Sequence, residues 1–147
     1  MSIYGMAGHL IRRLNQISTH VFSVRMQEAG IDLTSVQFAA LETIRAEPGI
    51  DQATVAAKIA YDRATIGGVI DRLEQKNYVK RSVSQRDRRA REVTLSEKGK
   101  DILAAAMPVV IDLQNEILGG LTPNERETFL KLAGKAIAAV TDDNTQS

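Results

Sequence analysis

Cysteine is absent from this chain of 147 residues, which excludes disulfides, thiolate zinc sites, cysteine nucleophiles and thiol redox sensing together. No apolar run approaches the roughly 18 consecutive residues that a membrane span needs. The N-terminus also lacks a basic stretch leading into an apolar one. Membrane and secretory readings therefore fall away, and a cytoplasmic location is expected. Imidazoles are scarce: His9 and His20 are the whole supply, too few for a metal cluster without a third ligand. A Gly-rich phosphate loop and a Ser/His/Asp arrangement of recognisable spacing are missing too, so neither an enzyme nor a cofactor-dependent protein is expected. What remains, 44% apolar and 25% charged residues, is the balance of one soluble globular domain over residues 1–147.

Net charge is only +1, but it is unevenly placed. From Lys76 to Arg91 stand Lys76, Lys80, Arg81, Arg86, Arg88, Arg89 and Arg91 against Asp87 alone, a net of +6 that leaves −5 for the rest of the chain. Such a run is either a solvated face or an electrostatic footprint for an acidic partner, and the surrounding pattern decides between them.

Apolar residues recur at helical spacing from Gly5 to about Ala29 as Met6, Leu10, Leu14, Ile17, Val21 and Val24, a stripe that must face a core or a partner helix. Thr34 with Gln37 forms a capping-box pattern for a second helix with Phe38, Leu41 and Ile44 inward, stopped by Pro48-Gly49. Asp51 can cap a short third helix carrying Val55, Ala56 and Ile59, and Asp62 a fourth carrying Ile66, Val69, Ile70 and Leu73. Ala60-Tyr61 leaves room only for a tight turn between these two.

Two short segments with β-branched residues, Tyr78 to Val83 and Arg91 to Leu95, flank the arginine-rich Ser84 to Ala90 and predict a hairpin with a charged tip. Ser96 then opens a long helix to about Leu118, bent or interrupted at Pro108 and ended by Gly119-Gly120. Thr122, Pro123 and Glu125 start a last helix that reaches about Val140. Asp142 to Ser147 is expected to be a frayed tail.

Two short helices joined by a tight turn and followed by a basic hairpin make a winged helix-turn-helix, the strongest functional signal in the chain. The predicted fold is mainly α with a small β-hairpin wing. A helix fits the major groove of DNA, where base edges are distinguishable, and an arginine-tipped hairpin reaches a neighbouring minor groove or its phosphates. On the fourth helix the outward candidates for DNA contact are Arg63, Ala64, Thr65, Gly67, Gly68 and Arg72; on the wing they are Arg86, Arg88 and Arg89. Two adjacent glycines inside a helix should each cost about 1 kcal/mol relative to alanine. They serve close backbone approach to DNA or to a neighbouring element, or they are a tolerated local weakness.

One recognition helix covers too few base pairs to be selective, so a twofold dimer on a pseudo-palindromic operator is expected. Residues 34–95 would be the DNA-binding lobe, and 5–29 and 97–140 the dimerisation helices. Surplus apolar side chains at Val109, Val110, Leu113, Ile117, Phe129, Leu132, Ile137 and Val140 suit an intersubunit bundle; a monomeric core is the other use for them. His9, Arg13, Gln16 and His20 fall within about 60° of one another on the first helix, with Arg12 at the edge. This polar stripe is either an ordinary solvated or intersubunit face, or a site where arginine and histidine grip a carboxylate.

The runs LTSVQFAALETI and DRATIGGVIDRLEQKNYVKRSVSQRDRRAREVTLSEKG, with the long flanking helices, resemble the MarR family of bacterial transcriptional regulators over nearly the whole chain. The most specific match is Asp87-Arg88-Arg89, the family's Asp-x-Arg signature, followed by Val93-Thr94-Leu95-Ser96 and Gly99. The resemblance implies that Asp87 ion-pairs inside the wing and holds an arginine toward DNA. It also implies a homodimeric repressor released by a small aromatic or phenolic carboxylate, bound here by His9, Arg12, Arg13, Gln16 and His20. GHLIRRLNQ further resembles the first helix of members that control degradation of aromatic acids. The chain departs from many members in having Gly67 and Gly68 where they carry serine and a long polar residue. The alternative is an architectural DNA-binding or protein-interaction dimer with no effector.

Overall fold

The computed structural model describes residues 2–59 and 63–145. It is mainly helical with a three-stranded antiparallel sheet, a small winged-helix arrangement set between long helices. In chain order the elements are α1 (Ala7–Ala29), α2 (Ser35–Ala46), β1 (Ile50–Asp51), α3 (Gln52–Lys58), α4 (Arg63–Gln75), β2 (Val79–Val83), β3 (Arg91–Leu95), α5 (Glu97–Ile117) and α6 (Pro123–Thr145).

Local sequence accounts for most of the boundaries. Thr34 Oγ1 accepts from the Gln37 amide and Gln37 Oε1 from the Thr34 amide, each at 3.2 Å, which closes the predicted capping box of α2. Asp51 caps α3 through the Thr54 amide at 2.7 Å, and Ser96 caps α5 through the Gly99 amide at 3.0 Å. Gly30, with φ of 70°, ends α1 in a left-handed turn whose next amide, that of Ile31, reaches back to Met26 O at 2.9 Å. The same device ends α4 without a glycine: Asn77 has φ of 64°, and the Tyr78 amide donates to Leu73 O at 2.9 Å. Asparagine tolerates this backbone better than other side chains.

Several expectations are corrected. The first helix begins at Ala7 and not Gly5; a 3-10 turn over Ile3–Gly5, capped by Ser2, precedes it. Its buried residues are Phe22 and Met26, in the C-terminal half, whereas Met6, Leu10, Ile17 and Val24 are exposed. α5 runs unbroken through Pro108. Pro108 and Ala104, whose carbonyl loses its helical donor, both lie on the exposed side of the helix, where a proline costs less than in a buried turn. That helix stops at Leu118, which has negative φ, and neither Gly119 nor Gly120 supplies a left-handed turn. The last helix continues past Val140 to Thr145, through part of the expected tail. Asp62 and the Ala60-Tyr61 turn lie outside the described residues.

The sheet order is β1-β3-β2, with Ile50 opposite Val93 and the hairpin running from Val79 opposite Leu95 to Val83 opposite Arg91. β1, two residues long, gives too short a pattern to be read from sequence; it ties the turn between α2 and α3 to the wing. The core gathers Leu41 and Ile44 of α2, Val55 of α3, Ile70 and Leu73 of α4, and Val93 of β3, all essentially without solvent contact. Leu103 and Leu113 extend it along α5 to Phe22 and Met26 of α1. Arg25 fastens the two long helices by donating to Asp112 at 2.7 Å and to Glu116, and the hydrogen bond to Asp112, then that to Glu116, raises its pKa further.

Candidate nucleic-acid interface

α4 turns Ile66, Ile70 and Leu73 into the core, which leaves Ala64, Thr65, Gly68 and Arg72 exposed on its other side and Gly67 half-buried. The side chain of Arg63 is outside what the structure describes. A Cβ added at Gly67 or Gly68 would meet nothing within 4 Å, and neither residue has positive φ. No neighbouring element of this chain among the described residues therefore requires either glycine, which removes one of the two uses expected for them.

The wing projects from a buried base. Ser84 is buried; its amide donates to Ala90 O at 3.0 Å, and its hydroxyl accepts from the amides of Arg86 at 3.2 Å and Asp87 at 3.3 Å. Asp87 Oδ1 accepts from the Arg89 amide at 3.0 Å, and Asp87 O accepts from the Ala90 amide at 3.0 Å. These bonds fold the tip so that Arg86, Arg88 and Arg89 stand in solvent. Asp87 does face Arg89, with Nε at 3.6 Å, but the arginine is 94% exposed, so a pair this loose orients the backbone more than the guanidinium. Ser84 was not among the residues expected from sequence. Its signal is faint, a lone serine at the end of a strand, where its hydroxyl favours local amide bonds.

Two members of the basic run turn inward. Lys76 Nζ donates to Asp32 O and Gln37 Oε1, each at 3.0 Å. Arg81 bonds Gln52 Oε1 at 2.8 Å, Glu74 Oε1 at 3.2 Å and the carboxylate of Asp71. Lys80, Arg86, Arg88, Arg89 and Arg91 are the outward five. A cleft of about 500 Å³ between the wing tip, the start of α3 and α4 is lined by Gln52, Ala53, Ile66, Asp87 and Arg89 among others.

The polar stripe of α1 is reproduced in part. Arg13 donates to Gln16 Oε1 at 2.7 Å. His9 is half-buried beneath Tyr4, whose ring meets it edge-on at 5.3 Å between centroids. Tyr4 was missed because it precedes the helix and shares no periodicity with it. Arg12, Arg13, Gln16 and His20 are exposed, so within a single chain the stripe is an open face and not an enclosed cavity. No group of three His, Cys, Asp or Glu residues able to hold a metal occurs among the described residues, and no described helix is long and apolar enough to cross a membrane.

The profile of the MarR family matches residues 33–90, from the α1–α2 turn to the wing tip. Transcriptional regulator HosA of Escherichia coli O111:H- is 34% identical over 139 residues, which cover 95% of this chain and all of HosA. HTH-type transcriptional repressor NicR of Pseudomonas putida is 35% identical over 130 residues, 88% of this chain and 81% of NicR. Among solved structures, BpsR of Bordetella bronchiseptica, described for the regulation of its DNA binding by 6-hydroxynicotinic acid, superposes with a TM-score of 0.84 at 29% identity, covering 92% of this chain and 96% of BpsR. Likeness along almost the full length, in sequence and in fold alike, places the chain in the MarR family, whose members are transcriptional regulators and not enzymes.

Proposed function

We propose that the protein is a homodimeric repressor that reads a pseudo-palindromic operator with α4 and the wing and leaves it when a small aromatic acid binds against α1. The observation that carries the DNA reading is the pairing of a buried hydrophobic side of α4 with three arginines held out in solvent by the Ser84–Asp87 hydrogen bonds. In this reading Arg63, Thr65 and Arg72 meet base edges or phosphates, Ala64, Gly67 and Gly68 allow close approach, and Arg86, Arg88 and Arg89 grip the flanking groove. Exposed Leu10, Ile17, Leu130, Leu132, Ile137 and Val140 on α1 and α6 support burial against a second copy over residues 5–29 and 97–140.

The effector reading rests on His9, Arg12, Arg13, Gln16 and His20 sharing one side of α1, together with the aromatic acid described for BpsR. An open stripe becomes a pocket once the partner helix covers it, and Arg13 offers a carboxylate the paired donors that suit it. Release needs only a ligand that favours a spacing of the two α4 helices mismatched to successive major grooves; a hundredfold preference, about 2.7 kcal/mol, is ample for partial release.

Fluorescence anisotropy tests both parts, using DNA from upstream of the protein's own reading frame against scrambled DNA, at two salt concentrations and with a panel of aromatic acids. Selective, salt-sensitive binding abolished by one acid is expected. Arg89→Ala should weaken binding by about 1–3 kcal/mol. Arg13→Ala should keep DNA affinity and lose the response to the acid. Selective binding that ignores every acid would leave a DNA reader without this effector, and no selective binding would favour an interaction protein.

A further inference from the structure

Arg81 is one of the two least exposed members of the basic run, at 21% of its side-chain surface. Strand alternation places it on the same side of β2 as the buried Val79, so its guanidinium passes beneath α4 and does not join the wing arginines in solvent. There it spans three elements. One terminal nitrogen donates to Gln52 Oε1 on the first residue of α3 at 2.8 Å, and the other is shared between the carboxylate of Asp71 and Glu74 Oε1, the latter at 3.2 Å.

Asp71 and Glu74, three residues apart, lie on one flank of α4 with 55% and 45% of their side chains exposed. They are the acidic residues of a helix that otherwise presents Ala64, Thr65, Gly68 and Arg72 outward. Brought against a duplex carrying one negative charge per roughly 1.7 Å of axis, two uncompensated carboxylates there oppose binding. A lysine at this position would supply charge but not the planar fork that reaches all three acceptors. A guanidinium is charged across the physiological range in any case, and the Asp71 hydrogen bond, first among the causes, raises the Arg81 pKa further.

We infer that Arg81 is a positioning residue for operator recognition: without touching DNA, it neutralises Asp71 and Glu74 and locks α3, α4 and the wing into one rigid reading unit. This inference rests on the assignment of α4 and the wing to DNA.

The test is a double-mutant cycle read by anisotropy on a duplex recovered by in vitro selection against the wild-type protein. Arg81→Met is compared in the wild-type and in the Asp71→Asn/Glu74→Gln background, with fold and oligomeric size checked by circular dichroism and light scattering. Arg81→Met should weaken binding at least tenfold in the wild-type background and by less than about threefold once the two acids are neutral. Equal loss in both backgrounds makes Arg81 a direct DNA contact and overturns the inference, as does unchanged affinity in the wild-type background. Should Arg81→Met fail to fold, Arg81→Lys is read in the same two backgrounds, where coupling supports and additivity refutes the role. Arg89→Ala separates the two levels: loss there without loss at Arg81 removes only the positioning role, whereas loss at neither removes the DNA-reading assignment itself.

Discussion

Gly99→Ala is the substitution on which the packing between the wing and α5 can be judged most sharply. A Cβ at Gly99 would stand 2.0 Å from Tyr78 O, 2.9 Å from Tyr78 C and 3.2 Å from Tyr78 Cα. All three are backbone atoms, so no side-chain rotation relieves the overlap, and ordinary contact demands a shift of more than about 1 Å. The place is pinned from both sides: the Ser96 amide donates to Tyr78 O at 3.0 Å, the Ser96 hydroxyl to Asn77 O, and the Gly99 amide to Ser96 Oγ at 3.0 Å. Separating the strands' base from the first turn of α5 sacrifices about two of these bonds at roughly 1 kcal/mol each and adds overpacking of about 1–3 kcal/mol. Alanine's higher helix propensity returns up to about 1 kcal/mol. The expected net loss is about 2–4 kcal/mol, read as the urea midpoint at unchanged m-value. Gly134→Ala in α6 is the control, because a Cβ there meets nothing within 4 Å. A Gly99→Ala protein within 1 kcal/mol of wild type would refute the geometry of this junction.

Gly68→Ala should raise stability by about 0.5–1 kcal/mol in the free protein, since the site is open and helical; a lower urea midpoint would contradict this, and weaker operator binding by the stabilised variant would show that DNA needs the space. Asn77→Ala should cost about 1 kcal/mol, the penalty for a left-handed residue with a Cβ and no compensating amide, while Asn77→Gly should be near neutral by the same denaturation assay. Acidification should weaken the fold through Glu42 and Glu125. Arg45 holds the Glu42 carboxyl, and the Thr122 amide the Glu125 carboxyl, below the ordinary glutamate value. Each group binds its proton less readily folded than unfolded, so its stabilisation is complete above an unfolded pKa of about 4.3 and is lost as pH falls through the lower folded value. Glu125→Gln should flatten that part of the pH–stability curve, and an unchanged slope would contradict the capping geometry of α6.

Caps and periodicity made most of the helical order readable before any coordinates. Thr34, Asp51, Ser96 and Thr122 each do locally what their neighbours in sequence require of them. Ile66, Ile70 and Leu73 repeat at one helical face because the core selects that face. What escaped the sequence depends on partners distant along the chain. The inward turn of Lys76 and Arg81 is decided by Asp32, Gln37, Gln52, Asp71 and Glu74, none of which can be paired with them by spacing. β1 exists only because Val93 offers Ile50 a partner. The stripe on the first helix is expected to face a core or a partner helix; Met6 and Leu10 at its start stay exposed among the described residues and Leu14 is only half-buried, because α5 meets α1 mainly around Phe22, Arg25 and Met26.

On the proposed DNA reading, the inward turn of Lys76 and Arg81 also bears on how steeply binding depends on salt. Each phosphate neutralised on duplex DNA releases condensed counterions and adds about 0.9 to the slope of log affinity against log salt. The run's seven basic side chains would add about 6 to that slope for each recognition unit, whereas the five that face outward add about 4.5, before any share from Arg63 and Arg72 of α4. If α4 and the wing read DNA as proposed, the run's share of the salt dependence is therefore smaller than a count of its basic residues implies.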